Sequence, residues 1–305
     1  SLMEKLTEFM IKKQGLMYLS LIEYDKIKML QQSQVLYGRR NIMEIINKNI
    51  DHGRAFDWGK TSADYAKYRD IYPKEFYAKL AELSLGVKGQ NVLDLGTGTG
   101  VIPRNMHSYG AKWTGADISE NQIIYAEKLS KNAGMDIDYI VAAAEDVDFP
   151  DRTFDVITAC QCFMYFDKSV VLPKFHRMLK EHGHFAILFM AWLPEESEIA
   201  KTSENLVLKY NPAWTGGRMT RYELQEPTWC AGMFKAANML TYDLPVHFTR
   251  GSWHGRMKAC RGIGASGLKE SEIQKWEQEH WEYMQSLPEE FDILHYVSIL
   301  DLEKI

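Results

Sequence analysis

Short apolar runs and helix-spaced apolar positions alternate along the chain, and the two periodicities predict strands and helices in turn. Val92 to Leu95 has the length and continuity of a buried parallel strand. Ala111 to Ala116 reads as a second strand, ended by Asp117. Glu270 to Met284 has helical spacing and would place Trp276, His280 and Trp281 on one face. Residues 3 to about 50 have another character. Apolar residues from Leu16, Leu19 and Ile22 to Ile42, Ile45 and Ile46 recur among Lys, Gln and Glu, which predicts two or three amphipathic helices broken near Gly15 and Gly38. Asp51-His-Gly53 is the expected linker. The chain is thus expected to divide into a helical extension over 1–55 and an α/β domain over 56–305.

The turn after the first strand holds the most chemistry. Gly96, Gly98 and Gly100 follow Leu95 at every second position. Without a Cβ, such a turn can bring its backbone against a ligand and offer N–H donors at the start of the next helix. A dinucleotide fold needs G-x-G-x-x-G, and Val101 stands where its third glycine would be. Asp94 lies inside the strand and is expected to point at the turn, where a carboxylate would repel a pyrophosphate but suit an amino group or a cation. Asp117 follows Asp94 by 117 − 94 = 23 residues, about one βα unit, and an acid at that strand tip can bind both hydroxyls of a ribose. The competing role for Asp117 is to cap the helix starting near Glu120, with Ser119 a rival for that cap.

Together these features resemble the first motifs of the class I S-adenosylmethionine (SAM)-dependent methyltransferases, in the group of small-molecule enzymes related to ubiquinone and menaquinone biosynthesis. Further pieces follow in the family's order. Tyr139-Ile-Val-Ala-Ala-Ala-Glu-Asp-Val-Asp-Phe-Pro-Asp151 resembles its third element, Thr153 to Ala159 its fourth strand, and Cys160-Gln-Cys-Phe-Met-Tyr-Phe-Asp167 the segment past the methionine end of the cofactor. His176 to His184 resembles the helix and turn before its fifth strand, Phe185 to Met190. Thr241 to Thr249 and Ile293 to Asp301 resemble its sixth and seventh strands. The resemblance implies a Rossmann-like α/β fold: seven strands, mostly parallel, with helices on both faces, the N-terminal helical extension, and cap segments at about 194–232 and 252–290. It implies SAM as cofactor, held by Tyr65, Arg69, Asp94, Gly96, Thr97, Gly98, Gly100, Asp117, Ile118, Ala144, Glu145 and Cys160. Tyr65 and Arg69 lie four apart on a helix before the core, where family members cover the cofactor's carboxylate. The chain departs from the family at Ala143, where an acid often meets the adenine amino group. Backbone groups of Ala144 and the side chain of Glu145 or Asp146 are the expected replacements. Tyr165 stands where many relatives have histidine.

Bulk properties narrow the field. The net charge of −5 lacks the basic excess usual in nucleic-acid binders. Four cysteines in 305 residues make no disulfide framework, and Cys160-x-Cys162 lacks a second ligand pair for a metal. No membrane span and no leader are read, so a cytoplasmic location is expected, with a homodimer through the N-terminal helices as one reading. The expected reaction is in-line transfer of a methyl group to a small-molecule acceptor, for which the protein positions the reactants and excludes water. His254 is the first candidate for a base or acceptor-orienting group and Tyr165 the second. Trp253, Arg256 and Arg261, in a glycine-rich stretch from Ser252 to Ser266, are the candidates for holding the acceptor. A non-catalytic SAM-binding regulator and a nicotinamide-dependent oxidoreductase are the alternatives, the latter disfavoured by the glycine spacing.

Overall fold

The computed structural model describes residues 44–305. The helices expected from residue 3 to Ile42, and the dimer contact expected of them, lie outside the described residues; the helical character expected to about residue 50 is not found at Ile45 and Ile46, where Ile45 pairs antiparallel with Phe56 and Ile46 is exposed.

The sheet has seven strands in the order β3-β2-β1-β4-β5-β7-β6. They are β1 (Asn91–Leu95), β2 (Lys112–Asp117), β3 (Asp138–Val141), β4 (Phe154–Cys160), β5 (Leu179–Trp192), β6 (Phe234–Thr249) and β7 (Glu290–Lys304). Pairing is parallel from β3 through β5, and β7 runs antiparallel to both β5 and β6. This is the expected sheet, with β5, β6 and β7 each longer than the resemblance implied. The burial patterns explain the composition. β1 and β4 are buried almost throughout, as central parallel strands covered on both faces must be. Much of β6 alternates between exposed and partly buried positions, as an edge strand does when one face meets water.

Eight helices among the described residues flank the sheet: α1 (Ser62–Tyr68), α2 (Lys74–Glu82), α3 (Val101–Met106), α4 (Glu120–Asn132), α5 (Lys168–Met178), α6 (Glu198–Tyr210), α7 (Arg250–Lys258) and α8 (Glu270–Gln285). Local signals set their ends. The Ser119 side chain accepts from the Gln122 backbone N–H and caps α4, and Gly134 takes the left-handed conformation just past its end. Thr249 and Ser252 form a reciprocal capping box at the start of α7. That box makes the first part of the glycine-rich stretch helical. In α8, Trp276 and His280 are fully buried, whereas Trp281 is 40% exposed and leaves the shared face expected of it. The Asp51-His-Gly53 segment is not a free linker. Asp51 is buried, accepts hydrogen bonds from the backbone N–H and the hydroxyl of Thr215, and pairs with Arg261.

One core cluster packs α2 and α3 residues such as Phe76, Leu80 and Met106, with Trp192, Trp253 and Trp276, on one sheet face. A second joins Leu93, Phe163, Phe175 and Phe185 on the other. No helix among the described residues is long and apolar enough to cross a membrane.

Candidate active site

The sheet order reverses between β1 and β4, and a crevice opens at the carboxyl ends of neighbouring strands where such a reversal occurs. A cleft of about 840 Å³, its open mouth included, lies there. Gly96 and Gly98 line it from the β1 side, Asp117 and Ile118 from β2, Ala142 to Glu145 from the segment after β3, and Cys160, Gln161, Cys162, Tyr165 and Phe166 from β4 onward. Ile45, Trp58, Tyr65, Arg69 and Gln122 complete the wall.

The turn is held by its own residues. Gly96, Gly98 and Gly100 have φ values of 62°, 56° and 74°, a region a side chain rarely enters. A Cβ on Gly96 would also fall 2.7 Å from the Cys162 sulfur, and one on Gly100 2.2 Å from the Tyr139 hydroxyl oxygen. The Thr97 N–H donates to the Ala116 carbonyl (2.9 Å) and the Gly98 N–H to Asp117 Oδ2 (2.8 Å). Asp117 Oδ1 accepts from the Ser119 N–H at 2.9 Å. Ser119, not Asp117, therefore caps α4, and the Asp117 carboxylate belongs to the cleft wall. Burial raises the Asp117 carboxyl against the pull of the Ser119 and Gly98 N–H groups.

Asp94 departs from expectation. It is 1% exposed, accepts from the Thr158 hydroxyl at 2.6 Å, and is absent from the cleft lining, so it braces β1 against β4 beneath the turn. Burial pushes its carboxyl up to about 7. Thr97 and Gly100 are likewise buried outside the lining, Gly100 facing Tyr139. The other expected cofactor residues line the cleft: Tyr65, Arg69, Gly96, Gly98, Asp117, Ile118, Ala144, Glu145 and Cys160. Arg69 lies 5.3 Å from the centre of the Tyr65 ring, so the two sit on one side of the cleft as their spacing predicts. Glu145 accepts from the Asp167 N–H at 2.7 Å, while Asp146 is exposed and outside the lining.

The acceptor candidates scatter. Tyr165 lines the cleft, and its hydroxyl accepts from Arg261 Nη1 at 2.8 Å. Arg261 Nε meets Asp51 Oδ2 at 2.6 Å, so this guanidinium is already neutralised. Burial raises the Tyr165 phenol despite the opposing pull of Arg261, which keeps it protonated near neutral pH. His254 is outside the lining. Its Nδ1 lies 2.8 Å from Nδ1 of His280, its ring stacks on Trp276 at 5.5 Å, and burial lowers its pKa. Trp253 is fully buried and donates to the Ser203 hydroxyl at 2.9 Å, a core role. Arg256 is buried against Trp192. Sequence reasoning missed Trp58, Gln122, Gln161 and Cys162. Gln161 alone carries a conformational mark, a non-glycine φ of 65° at the cleft edge.

Residues 93–187 match the family model described as "Methyltransferase domain". The ubiquinone biosynthesis O-methyltransferase of Pseudomonas entomophila is 27% identical over 177 residues, 55% of this chain and 75% of that one. The demethylmenaquinone methyltransferase of Thermotoga maritima is 38% identical over 113 residues, 36% of this chain and 48% of that one, so the match spans about half of that relative's length. The crystal structure of the YcgJ protein from Bacillus subtilis aligns with a TM-score of 0.45 at 20% identity, over 75% of this chain and 98% of that one. The family match falls on β1 through the first half of β5, the strands that frame the cleft, and over these residues the chain is similar to the methyltransferase domain family.

Proposed function

We propose that the protein transfers a methyl group from SAM to a small-molecule acceptor. The observation that carries the reading is the Asp117 carboxylate standing in the wall of the switch-point cleft and holding the N–H of Gly98. The residues present fit the cofactor. The turn offers backbone without side chains, Asp117 can accept from both ribose hydroxyls, and Ile118 with Ala142 to Ala144 gives an apolar wall for the adenine. Gln122 adds an Oε1 that is buried without a hydrogen-bond partner beside the turn, an acceptor left over for a ligand hydroxyl. Tyr65 and Arg69 suit the carboxylate of the amino-acid end.

Bound SAM supplies an activated methyl group on a sulfonium; the protein contributes position and dryness. Trp58 and Tyr65 close the mouth with rings 5.9 Å apart. Cys160 and Cys162 stay thiols, because burial pushes Cys160 up to about 12 and Cys162 well above its ordinary range. They form a soft wall rather than nucleophiles. Protonated Tyr165, oriented by Arg261, is a hydrogen-bond donor to the acceptor and not its base. His254 has no part in this reading. The names of the relatives favour a partly apolar acceptor such as a quinone precursor.

The test is calorimetry with S-adenosylhomocysteine and NADH, followed by label transfer from methyl-labelled SAM to a panel of phenols and carboxylic acids. Binding of the homocysteine compound and transfer of label are expected, with no NADH binding. Tight product binding without any transfer would favour the regulatory alternative, and NADH binding alone would overturn the family chemistry for this site.

A further inference from the structure

The methyl-transfer reading leaves the acceptor's chemistry open, and the inference here rests on that reading. Arg256 is 5% exposed, and its guanidinium lies 4.9 Å from the centre of the Trp192 ring. Its Nε and Nη1 are buried with no hydrogen-bond partner. Buried donors of a charged group left without a hydrogen-bond partner are unfavourable unless a ligand completes them. Across the sheet from Trp192 stands His295, its partner in the β5–β7 register, with ring centres 6.4 Å apart. The His295 Nδ1 is 2.8 Å from the Ile293 carbonyl oxygen, which can only accept, so Nδ1 carries the proton and Nε2 presents a lone pair. That Nε2 is buried and unpartnered too. Two donor atoms and one acceptor are thus left open around one tryptophan.

Their place in the fold gives this meaning. Trp192 ends β5 at the carboxyl edge of the parallel strands, the edge at which the cleft opens, and His295 lies opposite it near the start of β7. Gln161 of the cleft wall donates from its Nε2 to the carbonyl of Met190, two residues before Trp192. Burial lowers the His295 ring to about 4, and the charge of Arg69 in the cleft wall acts in the same direction. Phe248 stacks on His295 at 6.0 Å, so the surroundings are aromatic.

We propose that Arg256 and His295 form the anchoring subsite of the methyl acceptor, and that the acceptor is a hydroxylated aromatic carboxylate. The Arg256 guanidinium donates a charge-assisted hydrogen bond to the carboxylate, the His295 Nε2 accepts from the hydroxyl, and Trp192 and Phe248 wall the ring. Arg256 is a binding residue here and takes no part in moving the methyl group.

The experiment uses the full chain saturated with S-adenosylhomocysteine and compares 4-hydroxybenzoate with uncharged 4-hydroxybenzamide by calorimetry. The wild type is expected to prefer the carboxylate by at least about tenfold, as a hydrogen bond to a charged group implies. Arg256→Met loses that preference, keeps its affinity for S-adenosylhomocysteine within twofold, and melts no lower than the wild type, because it removes an unpaired buried charge. Arg256→Gln serves where the Met variant does not fold, with the same loss expected. Equal binding of the two probes by the wild type, or an undiminished preference in either variant, overturns the proposal. Failure of the wild type to bind S-adenosylhomocysteine would instead strike the methyl-transfer reading itself.

Discussion

Asp94 and Asp117 are acids at the ends of neighbouring strands with opposite tasks, and burial separates them. Asp117 stands in the cleft wall, and Asp117→Ala is expected to weaken S-adenosylhomocysteine binding by at least about tenfold in calorimetry, through loss of two charge-assisted hydrogen bonds. Asp94 is bonded to Thr158 below the turn and titrates near 7. An unfolded aspartate titrates at about 3.9. Between those values the native state binds a proton that the unfolded state does not, so the contribution of Asp94 to stability declines as pH rises from about 4 to about 7 and is level above. Asp94→Asn keeps the oxygen that accepts from Thr158 and removes the titration. The variant should match the wild type near pH 4 and melt higher at pH 8. A variant that melts lower at pH 8 would show that the ionised carboxylate is stabilising where it sits. At Tyr165, replacement by Phe strips Arg261 Nη1 of its phenol partner and should cost about 1–3 kcal/mol in denaturant unfolding, while affinity for S-adenosylhomocysteine stays within about twofold. A tenfold loss of that affinity would place the phenol on the cofactor.

At the scale of elements, the βα unit from Asn91 to Met106 decides the site. Gly100→Ala asks a side chain to take a φ of 74° and to share space with the Tyr139 hydroxyl. It should destabilise the fold by about 1–3 kcal/mol and weaken cofactor binding with it, measured by thermal melting and calorimetry on the same sample. This unit was legible in the sequence because its signals are local: an apolar run, glycines at fixed offsets and an acid one βα unit later. The sheet was legible for the same reason. What was not legible comes from tertiary closure. Trp58 and Gln122 meet the cleft only because the segment before α1 folds over α4, where the Gln122 amide donates to the Trp58 carbonyl at 3.1 Å. His254 looked available because a one-dimensional reading cannot tell a pocket histidine from one stacked on Trp276 and set edge-on to Trp281 in a helix pair. The start of α7 was readable in principle, since Thr249 and Ser252 have capping-box spacing. Asp51 gave no sign that it would be buried against Thr215 and Arg261, more than 160 residues away in sequence.

For the molecule as a whole, the cleft draws its wall from segments spread between Ile45 and Phe166, so a ligand seated in it ties much of the chain together. S-adenosylhomocysteine at about 100 times its dissociation constant should add roughly 2.7 kcal/mol of stability, a rise in melting temperature on the order of 5 °C, and NADH at the same concentration should add none. The measurement that bears most directly on the central claim is a crystal structure grown with S-adenosylhomocysteine. The account predicts the adenosyl group over the bend between Leu95 and α3, its ribose hydroxyls on Asp117 and its amino-acid end toward Arg69 and Cys160. Density for the compound elsewhere, or a pyrophosphate alone over that bend, would contradict it.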